Sequence, residues 1–510
     1  MYLARRNDHL PFIFTVGISI LLSVWINLRE TVINPDAICY LLSAETYTQS
    51  GLRAAMQLCG QARWPFYSVL IAQLTQWTHL SYTFSAYLLD GLFSVISVGM
   101  FLLITQTLGG TRRVIWLAAL IILLSHEFNS VRQYIIRDHG FWAFYLVSLY
   151  TLLRFVQQPR WLMGLMFSLS LVIATLFRIE GLVFLLTLPL VILFCQQYRF
   201  SVRMKYFAIL NLPVIAISLI IGSWMMLHPQ ATTEKLSRVT EVFNQLQHGF
   251  TYMLAQYQHT KTALIQHVLT TDAARDAGLV LFLVLITWYL VNILGNLSWI
   301  YSFLVIYAWY HHVAQFAREK KLVLNAYLLV NLIITFCFFA QHLFLSKRYL
   351  IALSLIFMFW VPFALDQLYR ERHHAKQKIL LWIVSLAIII SALGGIFDFG
   401  HSKAYIRSAG DWVATNIPQQ ASLYANDYQL MYYTQHFKQT MYQVLNDNVD
   451  INHIAHGKWK KYDYLVIRLD KHDDAQINQT MKSIPLKPLQ IFTNKHGDQV
   501  AIYQVKESRL

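Results

Sequence analysis

The sequence predicts a mainly α-helical, polytopic membrane bundle followed by a small extramembrane α/β domain. Three observations carry this reading. Of 510 residues, 56% are hydrophobic and only 13% charged, with a mean hydropathy of +0.43, whereas an ordinary soluble domain is about 25% charged. Apolar runs long enough to cross some 30 Å of hydrocarbon as helix recur through residues 1–399. Charge then rises abruptly: residues 1–399 hold 28 basic and 16 acidic residues, and 400–510 hold 13 and 10. The domains expected are a transmembrane part, 1–399, and a soluble tail, 400–510.

The apolar runs lie near 10–28, 83–106, 114–127, 140–156, 161–177, 181–197, 206–228, 322–345, 349–368 and 379–398, with a longer region at 279–316 broken at Gly295-Asn296. Segment 65–80 is shorter and studded with polar residues, which suits a helix lying in the interface. Basic residues orient the chain. Arg5-Arg6, Arg112-Arg113, Arg160, Arg199, Arg203, Lys205, Arg318, Lys320, Lys321 and the run Arg370–Lys378 read as cytoplasmic. About eleven spans result, thirteen at most, with the N-terminus inside and the tail outside. The first run is too long for a cleavable leader and no small-residue cleavage site follows it. The net charge of +15 sits in these short loops, so no nucleic-acid partner is expected.

Three stretches fall on the outer side: loop 29–82, loop 229–277 and the tail. The tail opens with an amphipathic stretch (Ala404, Ile406, Trp412, Val413) stopped by Ile417-Pro418. Strand-like runs follow at Ser422–Ala425, Tyr464–Ile467 and Val500–Val505, the last after the turn signal His496-Gly497-Asp498. No internal repeat is visible. Of the four cysteines, Cys39 and Cys59 would bridge if their loop faces an oxidising compartment and otherwise remain free thiols. The histidines show no metal-binding spacing, and no metal site is assigned.

Ionisable residues at membrane depth are costly and point to function. Once oriented, Asp36 and Glu45, then Glu127, Arg132, Arg137, Asp138 and His139, then Arg178 and Glu180, then Lys347 and Arg348 all gather at the outer face, and Asp90 lies about two turns into its span. Each has a plainer reading beside the functional one. Arg178 and Glu180 would cap a hairpin, Lys347 and Arg348 would snorkel to headgroups, and Asp36 would cap the helix-like run 37–50. For Asp90 a structural ion pair is the favoured reading.

The order of these elements resembles a family. One span precedes Asn34-Pro35-Asp36-Ala37-Ile38-Cys39-Tyr40 and then Arg63-Trp64-Pro65-Phe66-Tyr67. Later come Arg137-Asp138-His139, Phe177-Arg178-Ile179-Glu180-Gly181-Leu182 and Lys347-Arg348-Tyr349-Leu350. The chain thus resembles the polytopic GT-C glycosyltransferases, the class of protein O-mannosyltransferases and lipid A aminoarabinose transferases. Two positions depart from the family pattern: Asp36-Ala37 replaces an acidic pair found in many members, and Arg-Ile-Glu-Gly replaces Arg-Pro-Glu-Gly. The first of these leaves the subfamily, and hence the acceptor, open.

The resemblance implies a sugar donor on a polyprenyl phosphate, and a glycan, lipid or protein acceptor at the outer face of a membrane, here a bacterial inner membrane with a periplasmic tail. It places Asp36 at the position of the general base that an acceptor hydroxyl needs, so that a single displacement inverts the anomeric carbon. Growing negative charge on the departing phosphate calls for fixed cations, for which Arg178, Arg348, Lys347 and Arg137 are the candidates, in that order. Asp138 and Glu180 would orient those cations or bind sugar hydroxyls. Glu45, Arg63, Trp64, Tyr67 and His139 would line the substrate. A magnesium or manganese ion is compatible with carboxylates and phosphate, and nothing in the sequence demands one. Lys235, Arg238, Lys261 and Arg275 of loop 229–277 would close over the acceptor.

Two other classes compete. A transporter or flippase would spread its polar groups along a transmembrane path and usually shows paired repeats. A non-catalytic assembly protein would tolerate loss of Asp36 and Arg178.

Overall fold

The computed structural model describes residues 9–227, 237–270, 272–397, 399–435, 457–469, 471, 484 and 486–506. Arg5-Arg6 and Lys235 lie outside the described residues, as does the side chain of Arg238. The architecture is the expected one: a polytopic helical bundle with a small C-terminal sheet. By contacts the chain divides into two compact units. One comprises 1–23, 90–132 and 137–397; the other comprises 24–89, 133–136 and 398–510.

Seven of the expected runs form helices long and apolar enough to cross a membrane: Leu10–Arg29, Tyr82–Thr107, Phe200–Ile220, Ala273–Leu297, Arg318–His342, Lys347–Arg370 and Ala375–Ile396. The run 140–156 becomes the 20-residue helix Asp138–Gln157, with Asp138 and Arg154 at its two ends. The other three are shorter. Run 161–177 forms Trp161–Phe177. Run 181–197 begins as helix Glu180–Thr187 and tightens at Pro189 into a 3₁₀ stretch, Leu188–Phe194. Run 114–127 gives Arg112–Leu123, whose twelve residues span only about 18 Å at 1.5 Å per residue.

The break in 279–316 falls two residues beyond Gly295-Asn296. Helix Ala277–Leu297 runs through both, because the Asn296 amide is held by the Ser354 hydroxyl at 2.9 Å. Ser298 makes the break, with φ 68°, and its hydroxyl accepts from the Tyr301 amide to start Trp299–Tyr310.

The bundle unit packs through small residues. Helices Asp138–Gln157 and Trp161–Phe177 form an antiparallel hairpin in which Gly140 faces Phe177 so closely that a Cβ would lie 2.4 Å from the ring. At the next turn of the chain, a Cβ on Gly181 would lie 2.6 Å from the backbone nitrogen of Thr175. Lys347–Arg370 is the most deeply buried of the seven long helices, with 83% of its apolar window inside.

In the second unit, helix Pro35–Gln57 kinks at Gly51 (φ 82°) and is followed by Phe66–Thr78. Cys39 and Cys59 form a disulfide with Cα atoms 6.2 Å apart. Asn34 binds the 133–136 segment: its Oδ1 accepts from the Ile135 amide at 2.9 Å and its Nδ2 donates to the Ile135 carbonyl at 3.4 Å. The tail joins the same unit. The Ile33 amide donates to the Tyr433 hydroxyl at 2.9 Å, and Gln429 Nε2 donates to the Ile33 carbonyl at 2.6 Å.

The tail sheet has the order β1-β2-β4-β3, with β1 Leu423–Ala425, β2 Tyr464–Leu469, β3 Gln490–Thr493 and β4 Gln499–Gln504. β1 and β2 are parallel, the other pairs antiparallel. Helix Ala404–Asn416 buries Tyr405, Ile406, Ala409 and Val413, the expected amphipathic stretch. Tyr424, Leu465, Ile467, Ala501 and Tyr503 build a core with Trp459, while Val466 and Ile502 of the same strands are also buried. Burial on both faces makes β2 and β4 continuous apolar runs. At the β1–β2 junction the Asp463 carboxylate accepts from the Ser422 amide (2.8 Å) and hydroxyl (2.6 Å).

Candidate active site

The helix hairpin of the bundle unit brings two helix ends together. Asp138 opens helix Asp138–Gln157, where a negative charge complements the helix N-terminus. Arg178 caps the C-terminal end of Trp161–Phe177 in extended conformation, the end that favours a cation. Glu180 begins the next helix, and Gly181 permits its tight return against Thr175.

These ends converge on one guanidinium. Arg178 Nη1 binds Asp138 Oδ1, and Nη2 binds Glu180 Oε1, while Nε donates to Glu180 Oε2 at 3.2 Å. The Arg178 and Asp138 side chains are 10% and 4% exposed, Glu180 28%, so the cluster is buried on one side and open on the other. The Tyr349 ring lies 4.5 Å from the Arg178 guanidinium carbon and 5.3 Å from that of Arg348. Both cations therefore share one aromatic ring. Arg137 and Arg348 also act on Asp138, and Arg137 on Glu180. Three guanidiniums thus gather around two carboxylates.

Arg178, Glu180, Arg348 and Tyr349 line a pocket. Phe141, Trp142, Phe184 and Phe338 form its apolar wall. Asn331 and Thr335, one turn apart on Arg318–His342, are its remaining polar groups. Asn331 Nδ2 is fixed by the Tyr145 hydroxyl (2.5 Å) and the Tyr327 carbonyl (2.7 Å). An apolar wall with a few convergent polar groups is the usual form of a ligand site.

The other expected residues have distinct places. Lys347 Nζ reaches Glu127 Oε1 at 2.9 Å, with His126 at 3.7 Å from the same oxygen; it is not among the residues lining the pocket. His139 is buried, its Nε2 3.2 Å from the Val131 carbonyl and its ring edge-on to Trp142. Asp90 is buried in its helix. Arg132 is also buried, held by Asn129 Oδ1 and by the hydroxyls of Ser19 and Ser23.

Asp36, Glu45, Arg63, Trp64 and Tyr67 belong to the second unit. Asp36 lies in the first turn of Pro35–Gln57, where Asn34 is the capping residue, and its Oδ1 accepts from Gln61 Nε2 at 3.1 Å. Gln61 follows Cys59, so the disulfide tethers this partner near the start of the helix. Glu45 accepts from Gln49, Tyr67 packs edge-on against Tyr40, and Arg63 is exposed.

Sequence reasoning missed Gln61, Asn331 and the Phe141–Trp142–Phe184 wall. An amide at the middle of the apolar run 322–345 is a signal that finds Asn331. Nothing in the spacing of Gln61 marks it before the disulfide is formed.

No family model matches the chain, and no curated protein matches it. Solved structures do. The archaeal oligosaccharyltransferase AglB from Archaeoglobus fulgidus, in complex with an inhibitory peptide and a dolichol-phosphate, superposes with a TM-score of 0.53 at 10% identity, over 98% of this chain and 74% of that one. The apo form of the Archaeoglobus fulgidus oligosaccharyltransferase gives 0.53 at 11%, over 98% and 75%. ArnT from Cupriavidus metallidurans, bound to undecaprenyl phosphate, gives 0.51 at 11%, over 97% and 98%. At such identity the likeness speaks of architecture: the chain has the GT-C fold of membrane glycosyltransferases.

Proposed function

We propose that the chain is an integral-membrane glycosyltransferase that moves a sugar from a polyprenyl-phosphate donor to a hydroxyl or amine acceptor on the outer face of the membrane. The observation that carries this is the Arg178–Tyr349–Arg348 arrangement between Asp138 and Glu180, open to an aromatic pocket. Guanidiniums gathered in a poorly solvated site suit the phosphate of a lipid carrier, which gains negative charge as it leaves. Arg178 gives its nitrogens to two carboxylates, so Arg348, which lines the pocket beside the same Tyr349 ring, is the cation assigned to the phosphate. Asp138 and Glu180 then hold Arg178 in place. That both ArnT and AglB were solved with a polyprenyl-type phosphate bound adds support to the donor class.

In the reaction, Asp36 takes the proton of the acceptor as its oxygen or nitrogen attacks the anomeric carbon. The bond from that carbon to the phosphate oxygen breaks, and the polyprenyl phosphate leaves with the electron pair. One displacement inverts the configuration. The transition state is oxocarbenium-like, as in glycoside hydrolysis. Gln61 fixes one oxygen of Asp36. Asp138 and Glu180 are committed to Arg178, and among the described residues no three His, Cys, Asp or Glu side chains are placed to hold a metal ion. The Cys39–Cys59 disulfide agrees with an oxidising outer compartment for loop 29–82, as in a bacterial inner membrane with the tail in the periplasm.

The test is transfer in membranes from a panel of radiolabelled polyprenyl-phosphate sugars. The wild type is compared with Asp36→Asn and Arg348→Ala. Transfer that collapses in Asp36→Asn with donor binding intact is expected. Equal transfer by Asp36→Asn removes Asp36 as the base, and uptake of the donor across vesicles without transfer replaces the enzyme by a transporter.

A further inference from the structure

A second concavity of the bundle unit lies outside the pocket just described. One wall is the helix Ser237–His267, which presents Tyr252, Ala255, Gln256 and His259. Their spacing of three, four and seven residues puts them on one stripe. Gln341 and His342, the last residues of Arg318–His342, form the other wall. The helix ends there because Leu343 adopts φ 50°, with its amide returned to the Phe339 carbonyl.

The lining has a definite chemistry: two carboxamides, two imidazoles, one phenol and a methyl group, with no carboxylate, ammonium or guanidinium among them. His342 Nδ1 lies 3.0 Å from the Phe338 carbonyl. A carbonyl only accepts, so Nδ1 donates to it, and Nε2 is the ring's remaining hydrogen-bonding atom. Carboxamides offer a donor and an acceptor side by side, as a pair of neighbouring sugar hydroxyls requires. Tyr252, 60% exposed, supplies a flat apolar face for the C–H side of a ring. Among the described residues, this lining offers a charged headgroup no fixed counter-charge.

The groove is joined to the pocket by a row of rings. Phe338 stacks on His342 with centroids 4.4 Å apart and meets Tyr349 edge-on at 4.8 Å. Tyr349 in turn lies 4.5 Å from the Arg178 guanidinium. Phe338 and Tyr349 both line the pocket.

We propose that this groove is the acceptor subsite and that it takes a neutral oligosaccharide, whose sugar units rest on Tyr252 and are hydrogen-bonded by Gln256, Gln341, His259 and His342. The proposal rests on the transferase reading and narrows its acceptor to a glycan hydroxyl.

The experiment uses the full chain in lipid nanodiscs with no sugar donor present. The probes are a neutral glucose hexasaccharide, a neutral N-acetylglucosamine hexasaccharide, a bisphosphorylated glucosamine disaccharide and a Ser/Thr-rich peptide, followed by saturation-transfer NMR and titration. One neutral hexasaccharide is expected to bind, and Tyr252→Ala and Gln256→Ala each to weaken it about tenfold, the effect of one net contact. Undecaprenyl phosphate binding stays unchanged in both and serves as the check on folding; Gln341→Ala, from the opposite wall, replaces either variant that fails it. Binding of neither hexasaccharide, binding of only the charged or peptide probe, or affinities untouched by the variants would overturn the assignment. Oligosaccharide binding, with no transfer to the bound oligosaccharide once the panel of labelled polyprenyl-phosphate sugars is added, would instead refute the transferase reading and leave the groove standing.

Discussion

Replacing Asp138 by asparagine should destabilise the bundle far more than replacing Glu180 by glutamine, although both carboxylates hold the same guanidinium. Asp138→Asn leaves Arg178, 10% exposed, with half its charge compensation. Breaking a buried ion pair costs about 3–5 kcal/mol. Glu180 remains and the asparagine oxygen still accepts, which reduces the figure to roughly 2–3 kcal/mol. Glu180 is 28% exposed, so water replaces much of what Glu180→Gln removes, and its cost is about 1 kcal/mol. Polytopic proteins commonly unfold irreversibly, so the quantity to follow is a rate. If the clamp is absent from the unfolding transition state, the whole loss appears in the unfolding rate. The half-life of native tryptophan fluorescence at fixed temperature in detergent then shortens roughly 30- to 160-fold for Asp138→Asn and about fivefold for Glu180→Gln. Equal effects, or the reverse order, would refute the view that burial decides which carboxylate anchors Arg178.

Gly181→Ala places a Cβ 2.6 Å from the Thr175 backbone nitrogen, a collision that no rotamer relieves; a loss of about 1–3 kcal/mol is expected, against no loss for Gly99→Ala, which meets nothing within 4 Å, both read from the same half-life. The Ser422 amide and hydroxyl hold the Asp463 carboxyl below the usual carboxylate range. Its contribution is therefore complete above the ordinary aspartate value and lost as pH falls through the lowered one. Hydrogen exchange at Leu423–Ala425 should accelerate in acid in the wild type, and Asp463→Asn should remove that pH dependence; an unchanged acid limb would exclude Asp463 as its source. Removing the Cys39–Cys59 disulfide, which closes a 20-residue separation, should cost about 3 kcal/mol of local stability. In the doubly serine-substituted protein, exchange should rise at 58–64, and in the native protein both cysteines should alkylate only after reduction.

Much of the bundle was legible because a membrane span leaves a mark that needs no partner: a long apolar run. The runs that fell short show where that mark stops being enough. Run 114–127 yields only twelve helical residues before the chain breaks at Leu124-Ser125, and Pro189 tightens 181–197 into 3₁₀ geometry. In the tail, β1, β2 and β4 announced themselves as apolar runs since both their faces are covered. β3, largely exposed and only Gln490–Thr493, exists through its pairing with β4 and has no signal of its own. The gathering of ionisable residues was likewise visible, but their partners were not. Sequence order gives no reason for Lys347 to choose Glu127, for Arg132 to be satisfied by serines of the first helix, or for Gln61 to reach Asp36. Those choices are made by packing.

The bonds from Ile33 to Tyr433 and Gln429 join residues 400 and 396 apart in sequence. A ribosome working at about 5–20 residues per second needs roughly 20–80 s to make that much chain. For that interval the loop bearing Asp36 is already synthesised while the tail residues it binds do not yet exist. Maturation of the loop is therefore timed by synthesis of the tail, and a nascent chain that lacks it cannot assemble this unit early.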